Sequence, residues 1–168
     1  MKIKATLLLT IFSFSLLFTA CFNDDDSGIR TEADELIELN ELLEKLEENY
    51  TVEQTSLGTY YIVHKQGEGE FPEAGDSLSI QYLGYFIDGT TFDSSFERQD
   101  SIWNFMYLDP QMQLIEGMND GLALMNTGSY YDLIIPSSLG YGDGNGVFPR
   151  YKTTVFSVKM KGIKKSAE

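Results

Sequence analysis

Apolar residues in this chain follow two different spacings, and the change from one to the other falls near residue 53. Leu36, Leu39, Leu43, Leu46 and Tyr50 recur at intervals of three and four, which sets them on one face of a helix of about five turns. Thr31, with Asp34 three residues on, supplies the N-cap and the acid of a capping box. From residue 54 the period shortens to two. Thr59–His64 gathers β-branched and aromatic residues into a strand. Leu78, Ile80, Tyr82 and Gly84 alternate with Ser79, Gln81 and Leu83 in a second, and Asp88-Gly89 suits a hairpin turn into Thr91-Phe92-Asp93. A loop containing Trp103 follows. Leu114, Met118, Leu122 and Met125 then return to helical spacing, with Gly128 where a C-terminal cap belongs. Strands over 130–135 and 154–163 flank a loop with glycine at 140, 142, 144 and 146. The elements add up to an α+β architecture: an antiparallel β-sheet wrapped around one short α-helix and preceded by an acidic helical tether.

One apolar stretch belongs to neither pattern. Leu7–Phe18, twelve residues interrupted by Thr10, Ser13 and Ser15, follows Lys2 and Lys4. It falls short of the roughly 20 residues that span a bilayer and suits a secretory leader. It runs into Leu17-Phe18-Thr19-Ala20-Cys21, which resembles the box at which bacterial lipoproteins are cleaved and acylated. The expected organisation is a leader over 1–20, a tether over 21–53 lipidated at Cys21, and a domain over 54–168. The expected location is the cell envelope, lipid-anchored to the outer membrane on its periplasmic or surface face. Asp24-Asp25-Asp26 resembles the acidic run that marks surface display in some Gram-negative bacteria.

Charge and composition narrow the chemistry. Twelve basic against 26 acidic residues give a net charge of −14, which argues against nucleic acid as a partner. A single cysteine and a single histidine leave no intrachain disulfide, structural zinc site or Cys/His pair; neither metal nor cofactor is expected. Residues 22–53 hold twelve acids against Arg30 and Lys45. The leucine stripe there has two readings. It packs on the domain, or on a second copy as a homodimer through residues 31–50; or the segment is a frayed spacer weakened by its like charges.

From residue 75 onward the motifs fall into a specific order. Gly75-Asp76 and Tyr82-x-Gly84 precede Asp88-Gly89-Thr90-x-Phe92-Asp93-Ser94-Ser95. Leu114-Ile115-x-Gly117, Gly121-Leu122 and Gly128 come next, then Ile135-Pro136, Leu139-Gly140-Tyr141-Gly142, Pro149 and Val155-Phe156-x-Val158. Over about residues 56–164 this resembles the FKBP-type peptidyl-prolyl cis-trans isomerases.

The resemblance implies catalysis of X-Pro rotation in exported or cell-surface proteins, with proline-containing unfolded or partly folded chains as clients. Tyr82, Phe92 and Phe156 would form aromatic walls, with Leu114 and Ile115 beside them and the Ile115 backbone N–H donating to a substrate carbonyl. Tyr141 would lend a hydroxyl from the flap loop, Phe148 an apolar rim, and Asp93 would sit by Tyr82 and Arg98. Met118 stands where the family usually has a tryptophan floor. Asp100–Pro110 is longer than usual, with Phe105 or Tyr107 as the inward aromatic, and Arg150 replaces a common second proline. These departures leave an alternative: a catalytically weak module that grips proline-containing segments of an envelope partner.

Overall fold

The computed structural model describes residues 29–112 and 114–167; the leader, Cys21 and the aspartates behind it lie outside them. Among the described residues, two α-helices, α1 (Glu32–Glu47) and α2 (Glu116–Leu122), accompany seven strands: β1 (Glu53–Gln54), β2 (Tyr60–Lys65), β3 (Ser77–Phe86), β4 (Thr91–Ser94), β5 (Trp103–Met106), β6 (Tyr130–Ile135) and β7 (Thr154–Lys164). All pairings are antiparallel, in the order β1-β2-β6-β7-β3-β4, and β5 shares with β4 the outer edge of β3.

Strand alternation decides what each face carries. Leu78, Ile80, Tyr82 and Gly84 of β3 point inward with Leu133 and Ile135 of β6 and Phe156 and Val158 of β7. Met118 and Leu122 of α2 close this core from within. Gly121 permits the contact, since a Cβ there would lie 2.5 Å from Leu133 Cδ1; a side chain would lift the helix off the sheet.

The other face of the sheet shows Ile62, Ile134 and Val155, and α1 covers them. Leu39 is buried there, with Leu42, Leu43 and Leu46 packed around it. The capping box forms as the sequence suggests: Thr31 N–H donates to Asp34 Oδ2 at 2.7 Å and Asp34 N–H to Thr31 Oγ1 at 3.4 Å. The helix is not held off as a spacer, and β1 pairs with β2 across the expected boundary at residue 53. Its inner stripe is also turned from the expected one. Leu36 and Tyr50 are 57% and 48% exposed, and Glu35 takes the inward place beside Leu39.

Two further expectations change. The loop containing Trp103 is strand β5, in register with Ser77–Ile80 of β3. Helix α2 is only seven residues long and ends at Ala123, whose N–H donates to Asn119 O. Gly128 (φ 87°) is therefore no helix cap; its N–H donates to Met160 O and seats the chain for β6.

Candidate functional site

Strands β3, β4, β5 and β7 converge at one end of the inner face, and each brings an aromatic ring. Tyr82 from the middle of β3 lies 5.6 Å from Trp103 of β5 and 6.3 Å from Phe156 of β7. Phe156 in turn meets Phe92 of β4 edge-on at 5.5 Å. The four rings form a continuous arc, Trp103–Tyr82–Phe156–Phe92. Edge-to-face contacts of this kind are favourable because the ring edge is positive and the face negative. Gly84 is what lets the arc close, since it pairs with Asp93 on one side and Phe156 on the other.

The flap, residues 136–153, covers the Phe92 end. Tyr141 and Phe148 stack with centroids 3.5 Å apart, and each meets Phe92 edge-on, at 6.2 and 5.4 Å. Asn145 shapes the tip by accepting from the N–H groups of Val147 and Phe148 through Oδ1, at 3.1 and 3.0 Å. Leu114 and Ile115 are half-buried against the same core and immediately precede α2. The Ile115 carbonyl accepts the first helical hydrogen bonds, from Met118 and Asn119. Met118 is buried in that core with Tyr82 and Phe156.

The polar groups are few. Tyr82 is 3% exposed, and its hydroxyl donates to Asp93 Oδ2 at 2.8 Å. Burial first, and then the hydrogen bond to Asp93, push the Tyr82 phenol up to about 12, with the Arg98 guanidinium pulling partly back. Burial, and more weakly the charge of Asp93, raise the Tyr141 phenol. Both hydroxyls are therefore protonated donors at neutral pH. Asp93 is itself exposed at the rim and holds Tyr82 in place from there. Among the described residues, no three His, Cys, Asp or Glu side chains converge to hold a metal ion.

The structure thus gathers Tyr82, Phe92, Asp93, Tyr141, Phe148 and Phe156 around one surface, with Leu114, Ile115 and Met118 packed against the same core. Two participants were not singled out from the sequence. Trp103 joins the arc through Tyr82, while Phe105 and Tyr107, the two candidates for the inward aromatic, are both buried in the core beside it. Phe105 stacks against Trp103 at 4.5 Å, and the Tyr107 hydroxyl donates to Asn119 O of α2 at 2.8 Å. Arg98 stands 5.3 Å over the Trp103 ring, a cation–π contact that ties the loop after β4 to β5. Ser95 is the other. It is fully buried, accepts from the Tyr82 N–H at 3.0 Å and donates to Ser101 O at 2.8 Å, so it locks the backbone that carries Tyr82. Alternation of Trp103 with Phe105 was the available signal for the first. A serine two residues after Asp93 carries no such signal.

A family model described as FKBP-type peptidyl-prolyl cis-trans isomerase matches residues 68–161. The FKBP-type peptidyl-prolyl cis-trans isomerase FkpA of Aeromonas hydrophila is 38% identical over 117 residues, 69% of this chain and 42% of its own. The FKBP-type 22 kDa peptidyl-prolyl cis-trans isomerase of Escherichia coli is 39% identical over 123 residues, 70% of this chain and 57% of its own. This chain spans about half the length of the curated relatives it matches. Among solved structures, FkpA from Escherichia coli superimposes with a TM-score of 0.70 at 31% identity, covering 81% of this chain and 62% of that one.

Proposed function

Because this chain belongs to the FKBP-type peptidyl-prolyl cis-trans isomerase family, we propose that it catalyses X-Pro rotation in unfolded or partly folded proteins of the cell envelope. The barrier to that rotation, about 18–20 kcal/mol, is amide resonance, so no nucleophile is required. A surface that fits the twisted amide better than the planar one is enough. The arc from Trp103 to Phe92 offers an aromatic bed for the proline ring, and Tyr141 and Phe148 cover it from the flap. The Ile115 N–H would hold a substrate carbonyl, and Tyr141 would donate to the carbonyl of the rotating bond, whose oxygen moves as conjugation is lost. Tyr82, committed to Asp93, stiffens the wall and transfers no proton. The observation that carries this reading is the unbroken aromatic arc with its single Tyr82–Asp93 anchor.

In the same proposal the leader is removed, Cys21 bears the lipid, and the domain works at the outer membrane, on either face. A homodimer through residues 31–50 would have to use Leu36 and Ile37, which α1 leaves 57% and 60% exposed. A second reading, a binding module without appreciable turnover, is favoured by Met118: a thioether fills space but lacks the flat face of an indole.

The deciding experiment is exchange NMR on an X-Pro peptide with the chain from residue 22 onward. Acceleration that is lost in Tyr141→Ala and Trp103→Ala supports the isomerase. No acceleration from a folded chain that still binds the peptide supports the binding module.

A further inference from the structure

One buried carboxylate has no part in the aromatic surface. Glu35, the fourth residue of α1, is 5% exposed. Its Oε1 accepts from the backbone N–H of Ser137 at 2.7 Å and from the Thr153 hydroxyl at 2.7 Å, and its Oε2 accepts from the Ser137 hydroxyl. A carboxylate taken out of water is costly unless donors replace the water it loses. Here all three donors belong to the flap. Ser137 opens the turn that leads to Tyr141, and Thr153 is the last residue before β7. The Ser137 carbonyl in turn accepts from the N–H groups of Gly140 and Gly142, at 2.9 and 2.8 Å.

A second set of contacts reaches the same loop from the same helix end. Arg30 donates from both terminal nitrogens to the two carboxylate oxygens of Glu38, each at 2.6 Å, and from Nε to the Tyr151 carbonyl at 2.9 Å. Tyr151 is left-handed (φ 47°), a conformation a tyrosine rarely adopts. Its N–H donates to Gly142 O at 2.9 Å. The strained residue is therefore held from both sides, by Gly142 within the flap and by Arg30 from outside it.

We infer that Glu35 is a positioning residue for the flap. Through Glu35, with Arg30 and Glu38 beside it, α1 fixes both stems of the loop, so that Tyr141 and Phe148 are ordered before a substrate arrives. A loop with glycine at 140, 142, 144 and 146 would otherwise lose much conformational freedom on closing over a peptide. The brace removes that loss from the binding step. The kinetic part of this inference rests on the isomerase reading; the structural part does not.

The test uses the chain from residue 22 onward and two readouts: hydrogen exchange of the Gly142 and Tyr151 amides, and kcat/KM for an X-Pro peptide. Glu35→Ala should speed both amides, and lower kcat/KM mainly through KM, each by about tenfold. Glu35→Gln keeps an acceptor for the Ser137 N–H and Thr153 and offers its amide to Ser137 Oγ, so it should restore most of both. Leu46→Ala loosens the far end of the same helix and should leave flap exchange and kcat/KM near wild type. On a Tyr141→Ala background, Glu35→Ala should cost little further activity, because its route runs through the flap.

Unchanged flap exchange in folded Glu35→Ala overturns the inference. So does a Leu46→Ala variant that frees the flap equally, since that would be general undocking. If Glu35→Ala does not fold, Thr153→Val, which removes one donor at constant shape, should give an intermediate exchange rate; a wild-type rate there is refuting. Absence of turnover in the wild type would sink the isomerase reading, while exchange still decides the brace.

Discussion

Gly84→Ala tests the aromatic arc at its tightest point. A methyl group there would lie 2.9 Å from Phe156 Cε1 and 3.0 Å from Cε2 and Cζ of Phe92. Carbon atoms rest at about 3.5–4.0 Å, so the rings must yield by roughly half an ångström to one. Phe156 is buried against Tyr82, and the half-buried Phe92 meets Phe86, Tyr141 and Phe148, so both must push on packed rings. Overpacking of this kind costs about 1–3 kcal/mol, and the stiffer unfolded chain returns about 0.4–1 kcal/mol. The expected net loss is about 1–2 kcal/mol, read from urea unfolding. Displacing the walls by up to an ångström should lower kcat/KM by about ten- to a hundredfold, measured by exchange NMR. Gly162→Ala is the control: it lies in β7, also without a positive φ, and a methyl there meets nothing within 4 Å. It should be neutral or slightly stabilising, with full activity. If Gly84→Ala matches Gly162→Ala in both stability and rate, the rings do not seat on Gly84 and the arc does not close there.

Other expectations follow from single contacts. The Tyr82 phenol should titrate near 12 by its phenolate absorbance, and Asp93→Asn should bring it down, because the lost carboxylate charge no longer opposes the phenolate; an unchanged titration would mean burial alone sets it. Removing α1, by starting the chain at residue 54, uncovers Ile62, Ile134 and Val155, which are 3%, 1% and 6% exposed. At about 1.5–3 kcal/mol for full burial of each side chain, partial re-exposure should cost about 3–5 kcal/mol and promote self-association; undiminished stability by urea unfolding would show the helix to be dispensable. The Asp76 carboxylate is held low by the Glu73 N–H, with the Ser166 N–H and Lys165 assisting, and that of Glu38 by the Arg30 guanidinium. Folded values below the unfolded ones, about 3.9 and 4.3, mean stability that is fully present above about pH 5 and lost as the pH falls through the folded values. Urea midpoints should drop below about pH 4, and Asp76→Asn should flatten that slope.

The parts of this fold legible from the chain are those decided by near neighbours. Leu78, Ile80, Tyr82 and Gly84 alternate because one face of β3 is buried along its length, and that signature needs no knowledge of what covers it. Thr31 and Asp34 cap α1 with bonds three residues apart. Strand β5 escaped because Trp103–Met106 is only four residues long and exists by pairing with the far half of β3, more than 20 residues back. The inward stripe of α1 was misplaced for a related reason. Hydrophobic spacing alone chose Leu36 and Tyr50, whereas the real face includes a charged residue, Glu35, whose partners lie more than 100 residues downstream. In the site itself, the aromatic residues were readable through the family resemblance. Ser95 and the inward turn of Trp103 were not, because they depend on where the loop after β4 returns to β3.

In the proposed lipid-anchored form, docking of α1 would also set how far this domain strays from a membrane. If Cys21 carries the anchor, only residues 22–31 separate the acyl chains from the first turn of the helix. Ten residues at full extension reach at most about 36 Å. An undocked helix would have added about 24 Å of rigid length over the 16 residues of α1, and folding it onto the sheet gives that length up. Such a leash would leave the domain next to Arg30, which donates to the Tyr151 carbonyl in the flap. A pull on the anchor would therefore be felt first at the loop that covers the aromatic surface. Client segments within that shallow layer would meet the domain at a far higher local concentration than those in the bulk.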